Sequence, residues 1–177
     1  LNKMRIIGGS HKGRIIEKNK NLKLRPTTEI AKEALFNILD NRYFFENKNV
    51  LDLFSGTGSI SFEFASRGVK SILAIDKNIK SINFINQISL KLDLQVNTIN
   101  LDALDYIKKC KKKFDFIFAD PPYNYNYYYE LKETILNSQI IKKDGLLIIE
   151  HDKNTTFNEP NIELRKYGTV HFSIFSF

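Results

Sequence analysis

Val50-Leu51-Asp52-Leu53-Phe54-Ser55-Gly56-Thr57-Gly58 is a short apolar run holding one acid that breaks into a Gly-x-Gly turn, with a helical pattern behind it. That order reads as strand, turn, helix. Glycine at 56 and 58 opens backbone conformations that a side chain forbids, and it removes Cβ atoms that would hold a ligand off the chain. A nucleoside or nucleotide is the expected occupant, with a tight structural turn as the plain alternative.

An acid also closes the next apolar run, Ser71-Ile72-Leu73-Ala74-Ile75-Asp76, 20 residues after Gly56. This is the spacing of a dinucleotide site, but the third glycine of that fingerprint falls at Ser61, so a close helix-to-pyrophosphate approach is not provided. Asp52 would also set a carboxylate near a pyrophosphate, whereas it suits the cationic amino group of an aminoacyl-type cofactor. S-adenosylmethionine fits these residues better than a nicotinamide dinucleotide.

A second buried-strand run, Phe114-Asp115-Phe116-Ile117-Phe118-Ala119, ends in Asp120-Pro121-Pro122-Tyr123. Consecutive prolines fix the backbone and remove two N–H donors, which leaves the carbonyls of the turn as outward-facing acceptors. An acid, rigid carbonyls and an aromatic face at the carboxyl end of a strand form a place to hold a planar base by its amino group. A Pro-Pro loop with a packed tyrosine is the bland reading, and its register with the Asp52-to-Gly58 signal favours the site.

In one order the chain carries Arg5-Ile6-Ile7-Gly8-Gly9, Lys12-Gly13-Arg14, Leu24-Arg25-Pro26-Thr27-Thr28, Glu33-Ala34-Leu35-Phe36-Asn37, the Leu51-to-Gly58 stretch, Ser66-Arg67-Gly68 and Asp120-Pro121-Pro122-Tyr123. With these motifs it resembles, over almost its whole length, the RsmD-like family of small-subunit (16S) ribosomal RNA guanine-N2 methyltransferases. The Gly-x-Gly and Asp-Pro-Pro-Tyr elements are shared by many amino-group methyltransferases, so the narrower resemblance rests on residues 1–40. Ser55 and Ser59 stand where alanine is usual, and Tyr123 where phenylalanine is also common.

The resemblance implies an α/β, Rossmann-like class I methyltransferase fold: a seven-stranded, mostly parallel sheet with helices on both faces and a small N-terminal β-hairpin appendage. It implies S-adenosylmethionine as cofactor, with Asp52, Phe54, Gly56, Gly58, Asp76, Asp102, Ala103 and Thr27 around it. Asp76 would accept bonds from the ribose hydroxyls and Asp102 would meet the adenine amino group. Asp120, Pro121, Pro122 and Tyr123 would form the catalytic turn, the acid and the Pro121 carbonyl holding the target amine and the tyrosine ring stacking on the base. The implied partner is small-subunit ribosomal RNA in an assembled or partly assembled particle, met by a monomer. Two alternatives stay open: an amino-group methyltransferase for another target such as adenine N6, and a non-catalytic RNA-binding assembly factor.

Alternation from residue 48 predicts strands near 49–53, 71–76, 95–100, 114–119 and 144–150, with helices over 58–67, 78–91, 102–109 and 127–137 between them. Two alternating runs, 162–167 and 169–177, predict a closing antiparallel hairpin. Ahead of the sheet, Thr28 caps a helix whose apolar face reads Ala31, Ala34, Leu35, Ile38 and Leu39. Residues 1–25 are expected to form a basic hairpin arm and 26–177 the methyltransferase domain; Met4 reads as a start residue, so 1–3 are set aside. In that arm Arg5, Lys12, Arg14, Lys23 and Arg25 are the candidate RNA contacts.

With 177 residues, 42% of them hydrophobic, the chain holds one substantial core. Its +7 net charge points to a polyanionic partner, although lysine is frequent in every segment. Cys110 alone excludes an intrachain disulfide, and His11, His151 and His171 lack metal-ligand spacing, so no metal is expected. No long apolar stretch or leader pattern is seen, and a soluble cytoplasmic protein is expected. Lys108, Lys109 and Lys111 to Lys113 read as a solvated helix end, with RNA contact as the alternative, and Tyr128 and Tyr129 as residues packing the helix that follows the prolines.

Overall fold

The computed structural model describes residues 3–17, 28–122 and 126–177. Thr27, Lys23, Arg25 and Tyr123, named above, lie outside the described residues.

Strand β3 (Asn49–Leu53) is an interior strand of a seven-stranded sheet. Chain order continues with α2 (Ser59–Ser66), β4 (Ser71–Asp76), α3 (Ile79–Leu92), β5 (Asn97–Asn100), α4 (Ala103–Lys109), β6 (Phe114–Ala119), α5 (Tyr128–Ser138), β7 (Ile141–His151), β8 (Ile162–Tyr167) and β9 (Val170–Ser176). Before them come a hairpin, β1 (Lys3–Arg5) and β2 (Ile15–Glu17), and α1 (Glu29–Arg42). The sheet order is β5-β4-β3-β6-β7-β9-β8, parallel through β7 and antiparallel for β9 and β8. This is the Rossmann-like class I arrangement expected from the sequence.

Burial on both faces explains why β3 and β6 are continuous apolar runs rather than alternating ones. One face packs Val50, Phe116 and Phe118 under α1, α2 and α3, with Leu35, Phe36, Phe62, Phe64 and Ile85 in the same core. The other packs Leu51, Leu53, Ile117, Leu147 and Ile149 under α4 and α5 through Ile107, Leu131 and Ile135. Edge strand β5 is largely exposed, as fits its polar sequence.

The start of β7 departs from expectation. It begins at Ile141, and its pairing with β6 jumps from Phe114↔Ile141 to Phe116↔Leu146. Lys142 to Gly145 are thereby displaced from the ladder, with Asp144 left-handed at φ 61°.

Helix α1 starts at its expected cap, where the Thr28 hydroxyl accepts from Ala31 N at 3.2 Å. Its buried face is Ala31, Lys32, Leu35, Phe36 and Leu39, so Ala34 and Ile38 are only half-buried. A lysine on the apolar face needs a partner. Lys32 Nζ lies 2.9 Å from Glu63 Oε1 with both side chains buried, and it donates to Arg5 O at 2.7 Å and Ser59 Oγ at 3.1 Å. Glu63 in turn accepts from Ile7 N at 2.7 Å and Gly8 N at 3.4 Å, and pairs with Arg67, which also reaches Asp40.

The hairpin is thus tied to α2 by a buried charge cluster, and its Met4, Ile6 and Ile16 belong to the main core. A Cβ on Gly9, at φ 74°, would sit 1.9 Å from Ser66 O, so only glycine allows this approach. Among the described residues no helix is long and apolar enough to cross a membrane.

Candidate active site

Parallel strands place their carboxyl ends along one edge, and the loops leaving that edge carry the predicted residues. Asp52 pairs with Phe118 and Ala74 on the two sides of β3, and Leu53 pairs with Ala119. Beyond the last pair, Asp120 N donates to Leu53 O at 3.3 Å, continuing the β3–β6 ladder. The Asp120 turn therefore leaves the sheet beside Phe54, two residues before Gly56. Pro121 is buried and Pro122 exposed.

Phe54 turns the chain out of β3 with φ at 60°, a left-handed conformation that costs a non-glycine residue on the order of 1 kcal/mol. Gly56 follows at φ 53° and Gly58 at φ 74°. For Gly58 the structure adds a reason the sequence did not show: a Cβ there would lie 2.8 Å from Ile85 Cγ1 and 3.0 Å from Phe62 Cε2. This glycine lets α2 settle against α3.

The loop is fixed to its neighbour strand. Gly56 N donates to Asp76 Oδ2 at 2.8 Å, Ser55 N to Ile75 O at 3.0 Å, and Asn78 N to Asp76 Oδ1 at 2.8 Å. Each oxygen of the Asp76 carboxylate keeps further acceptor capacity. At the next strand, Asp102 caps α4 by accepting from Leu104 N at 2.9 Å, and Ala103 is buried in its first turn. The cap reading of Asp102 therefore holds whatever else it does.

Asp52 is buried, and its Oδ2 accepts from Ser61 Oγ at 2.5 Å. Burial pushes its carboxyl up to about 7; the Ser61 bond opposes this and the nearby Asp76 charge adds to it. A neutral hydroxyl does not compensate a buried carboxylate, which suits a cationic group arriving from outside. Ser55 Oγ is also buried, with no hydrogen-bond partner among the described residues. These two features fit a polar, cationic aminoacyl ligand in the cleft.

Sequence reasoning overlooked Ser61, Lys32 and Glu63. Ser61 stands where a dinucleotide fingerprint has its third glycine, and Lys32 and Glu63 are charges inside otherwise apolar helical faces. Among the tyrosines, Tyr128 is buried as expected. Tyr129 is exposed, its hydroxyl donating to Thr156 O at 2.5 Å and its ring edge-on to Phe157.

Taken together, the sheet order and the acids at its carboxyl edge define the fold of the S-adenosylmethionine-dependent methyltransferases. A family model described as Conserved hypothetical protein 95 matches residues 4–176, and the chain belongs to that family, the RsmD-like methyltransferases. Similar curated proteins include the ribosomal RNA small subunit methyltransferase D of Haemophilus influenzae, 32% identical over 89% of this chain and 83% of that one. The protein of the same name from Buchnera aphidicola subsp. Baizongia pistaciae is 29% identical over 99% of this chain and 92% of its own length. Among solved structures, a hypothetical protein of Thermus thermophilus superposes with a TM-score of 0.85 at 24% identity, covering 97% of this chain and 98% of that one. The T. thermophilus 16S rRNA N2 G1207 methyltransferase, in complex with AdoMet and guanosine, shares the fold at TM-score 0.74 and 16% identity over 98% of this chain and 49% of its own.

Proposed function

We propose that this chain methylates the exocyclic N2 of a guanine in small-subunit ribosomal RNA. The observation that carries the reading is the adjacency of the Asp120 turn to the Phe54–Gly58 loop, made by the Asp120 N to Leu53 O bond. The names of the curated relatives support ribosomal RNA as the target. When bound, S-adenosylmethionine supplies a sulfonium methyl already activated toward displacement.

The chain's own residues then bind, orient and exclude water. Asp52 holds the cationic amino group, Asp76 the ribose hydroxyls through its spare acceptor sites, and Asp102 the adenine amino group. Ser55 and Phe54 line the loop between them. The guanine amine is a poor nucleophile, because its lone pair is delocalised into the ring. Bonds from that amine to the Asp120 carboxylate and the Pro121 carbonyl fix the direction of the lone pair, Pro122 keeps the turn rigid, and Tyr123 stacks on the base.

A base must leave its stack to enter such a cleft, so a loop or bulge is the substrate rather than an intact duplex. Phosphate contacts come from the arm: Arg5, Lys12 and Arg14 on the hairpin, with Lys23 and Arg25 following. Small ribosomal subunits incubated with the protein and labelled cofactor, then digested for nucleoside mass spectrometry, should yield labelled N2-methylguanosine. Labelled N6-methyladenosine instead would shift the target, and cofactor binding without any product would leave a non-catalytic factor.

A further inference from the structure

The catalytic edge is acidic. Asp76, Asp102, Asp105 and Asp120 stand along it or just behind it and alternate with the exposed Lys77 and Lys80, so this edge offers an RNA backbone no continuous row of cations. The opposite edge has the reverse character. Lys70 immediately precedes β4, Lys48 precedes β3, Lys111 to Lys113 precede β6, and Lys142 and Lys143 lie in the displaced start of β7. Those four strands are consecutive neighbours in the sheet, and Lys70 N donates to Lys48 O at 2.9 Å. At about 4.8 Å per strand the lysines form a row on the order of 15 Å long.

Acids do not neutralise this row. Asp115 takes Lys48 at 3.6 Å and Lys142 at 2.7 Å, and among the described residues the exposed Glu46, Asp93 and Asp144 near this edge form no ion pair with the row. Among the described residues Lys70, Lys111, Lys112, Lys113 and Lys143 enter no ion pair. In the loop joining α1 to β3, at the same edge, Phe44 is 92% exposed. A row of cations beside a bare aromatic face matches sugar-phosphate backbone with an unstacked base.

We infer that the lysine edge is a second RNA-binding surface, gripping backbone about 20 Å from the catalytic turn, the length of the six-residue strand β6. This rests on RNA being the substrate, and it gives the row the work of supplying affinity while the acidic cleft selects the extruded base.

The test uses the full chain, a fluorescent RNA hairpin of unrelated sequence with a single-stranded tail, and polyglutamate as a competing polyanion. A variant with Lys111, Lys112 and Lys113 all changed to Gln should bind the hairpin roughly tenfold more weakly at low salt. Its log-log salt dependence should be about two units shallower, at roughly 0.7–0.9 per lost phosphate contact. A second variant, Lys70→Gln with Lys143→Gln, should move both quantities the same way, with thermal midpoints unchanged. Phe44→Ala should weaken binding of the tailed RNA without changing the salt slope. With small subunits as substrate, the lysine variants should raise KM and keep kcat. Native RNA affinity and slope in both lysine variants would overturn the inference, as would loss of polyglutamate binding alone. Binding is read without methyl transfer, so failure to form N2-methylguanosine would overturn the proposed reaction and leave this result standing.

Discussion

Ser61 Oγ donates to Asp52 Oδ2 at 2.5 Å, joining the first turn of α2 to the strand that precedes it, with both side chains buried. Since burial pushes the Asp52 carboxyl up to about 7, its charge is in play near neutrality. With the proposed role of Asp52, in which its carboxylate holds the cofactor's amino group, cofactor affinity should rise with pH through about 7 and flatten above it, falling about tenfold per unit below. The free protein should behave oppositely. A folded-state carboxyl raised above its unfolded value stabilises the fold while protonated, and that contribution is lost as pH rises through about 7. Calorimetric titrations and urea unfolding across this range check both signs, and Asp52→Asn should abolish both pH dependences while weakening cofactor binding roughly 10- to 100-fold.

Removing the hydroxyl tests the same pair from the other side. Ser61→Ala takes away the bond that holds the Asp52 carboxyl down. The midpoint of the affinity-versus-pH curve should move above about 7, and a midpoint moving below would contradict the assignment.

Asp120→Asn should keep cofactor affinity within about twofold and lower transfer by roughly 100-fold or more, because the carboxylate is proposed to act on the target amine alone. Calorimetry beside single-turnover transfer separates the two. Loss of both together would make Asp120 a structural residue of the β3–β6 ladder.

The Asp102 side chain caps α4, and a cofactor role can be separated from that duty because asparagine caps equally well. Asp102→Ala should cost about 1 kcal/mol of stability. Asp102→Asn should restore the stability but change discrimination between adenosine- and inosine-containing cofactor analogues.

Lys32 and Glu63 form a buried ion pair that also holds Arg5 O, Ile7 N and Gly8 N of the hairpin. Lys32→Met should cost roughly 1–3 kcal/mol in urea unfolding, because Arg5 O loses its buried donor while Glu63 keeps Arg67 as a partner, and adding Glu63→Gln should destabilise further by taking that partner from Arg67. The single variant should also expose the segment 3–17 to proteolysis before the rest of the chain.

Much of this architecture could be read from local pattern. Val50–Gly58 and Phe114–Pro122 declare themselves because a strand buried on both faces is continuously apolar and its exit turn needs glycine or proline. The bulge at Lys142–Gly145 could not be read, because register is a relation between strands and neither β6 nor β7 contains it alone. Nor could the role of Ser61, whose meaning depends on Asp52 pointing into the same helix. The hairpin was recognisable as two alternating runs, but its attachment hides in single charges, Lys32 and Glu63, which lie 31 residues apart in sequence. Of the lysine row only the run Lys111 to Lys113 was legible, for a related cause: Lys48, Lys70, Lys142 and Lys143 become its neighbours only when four strands align.

The attachment of the hairpin bears on how the chain is made. Its anchoring bonds to Glu63, Ser66 and Leu92 span 56, 58 and 81 residues. Residues 3–17 leave the ribosome before α2 and α3 yet must wait for both helices to be synthesised before they have anywhere to sit, so a segment made ahead of its partners is secured only after them.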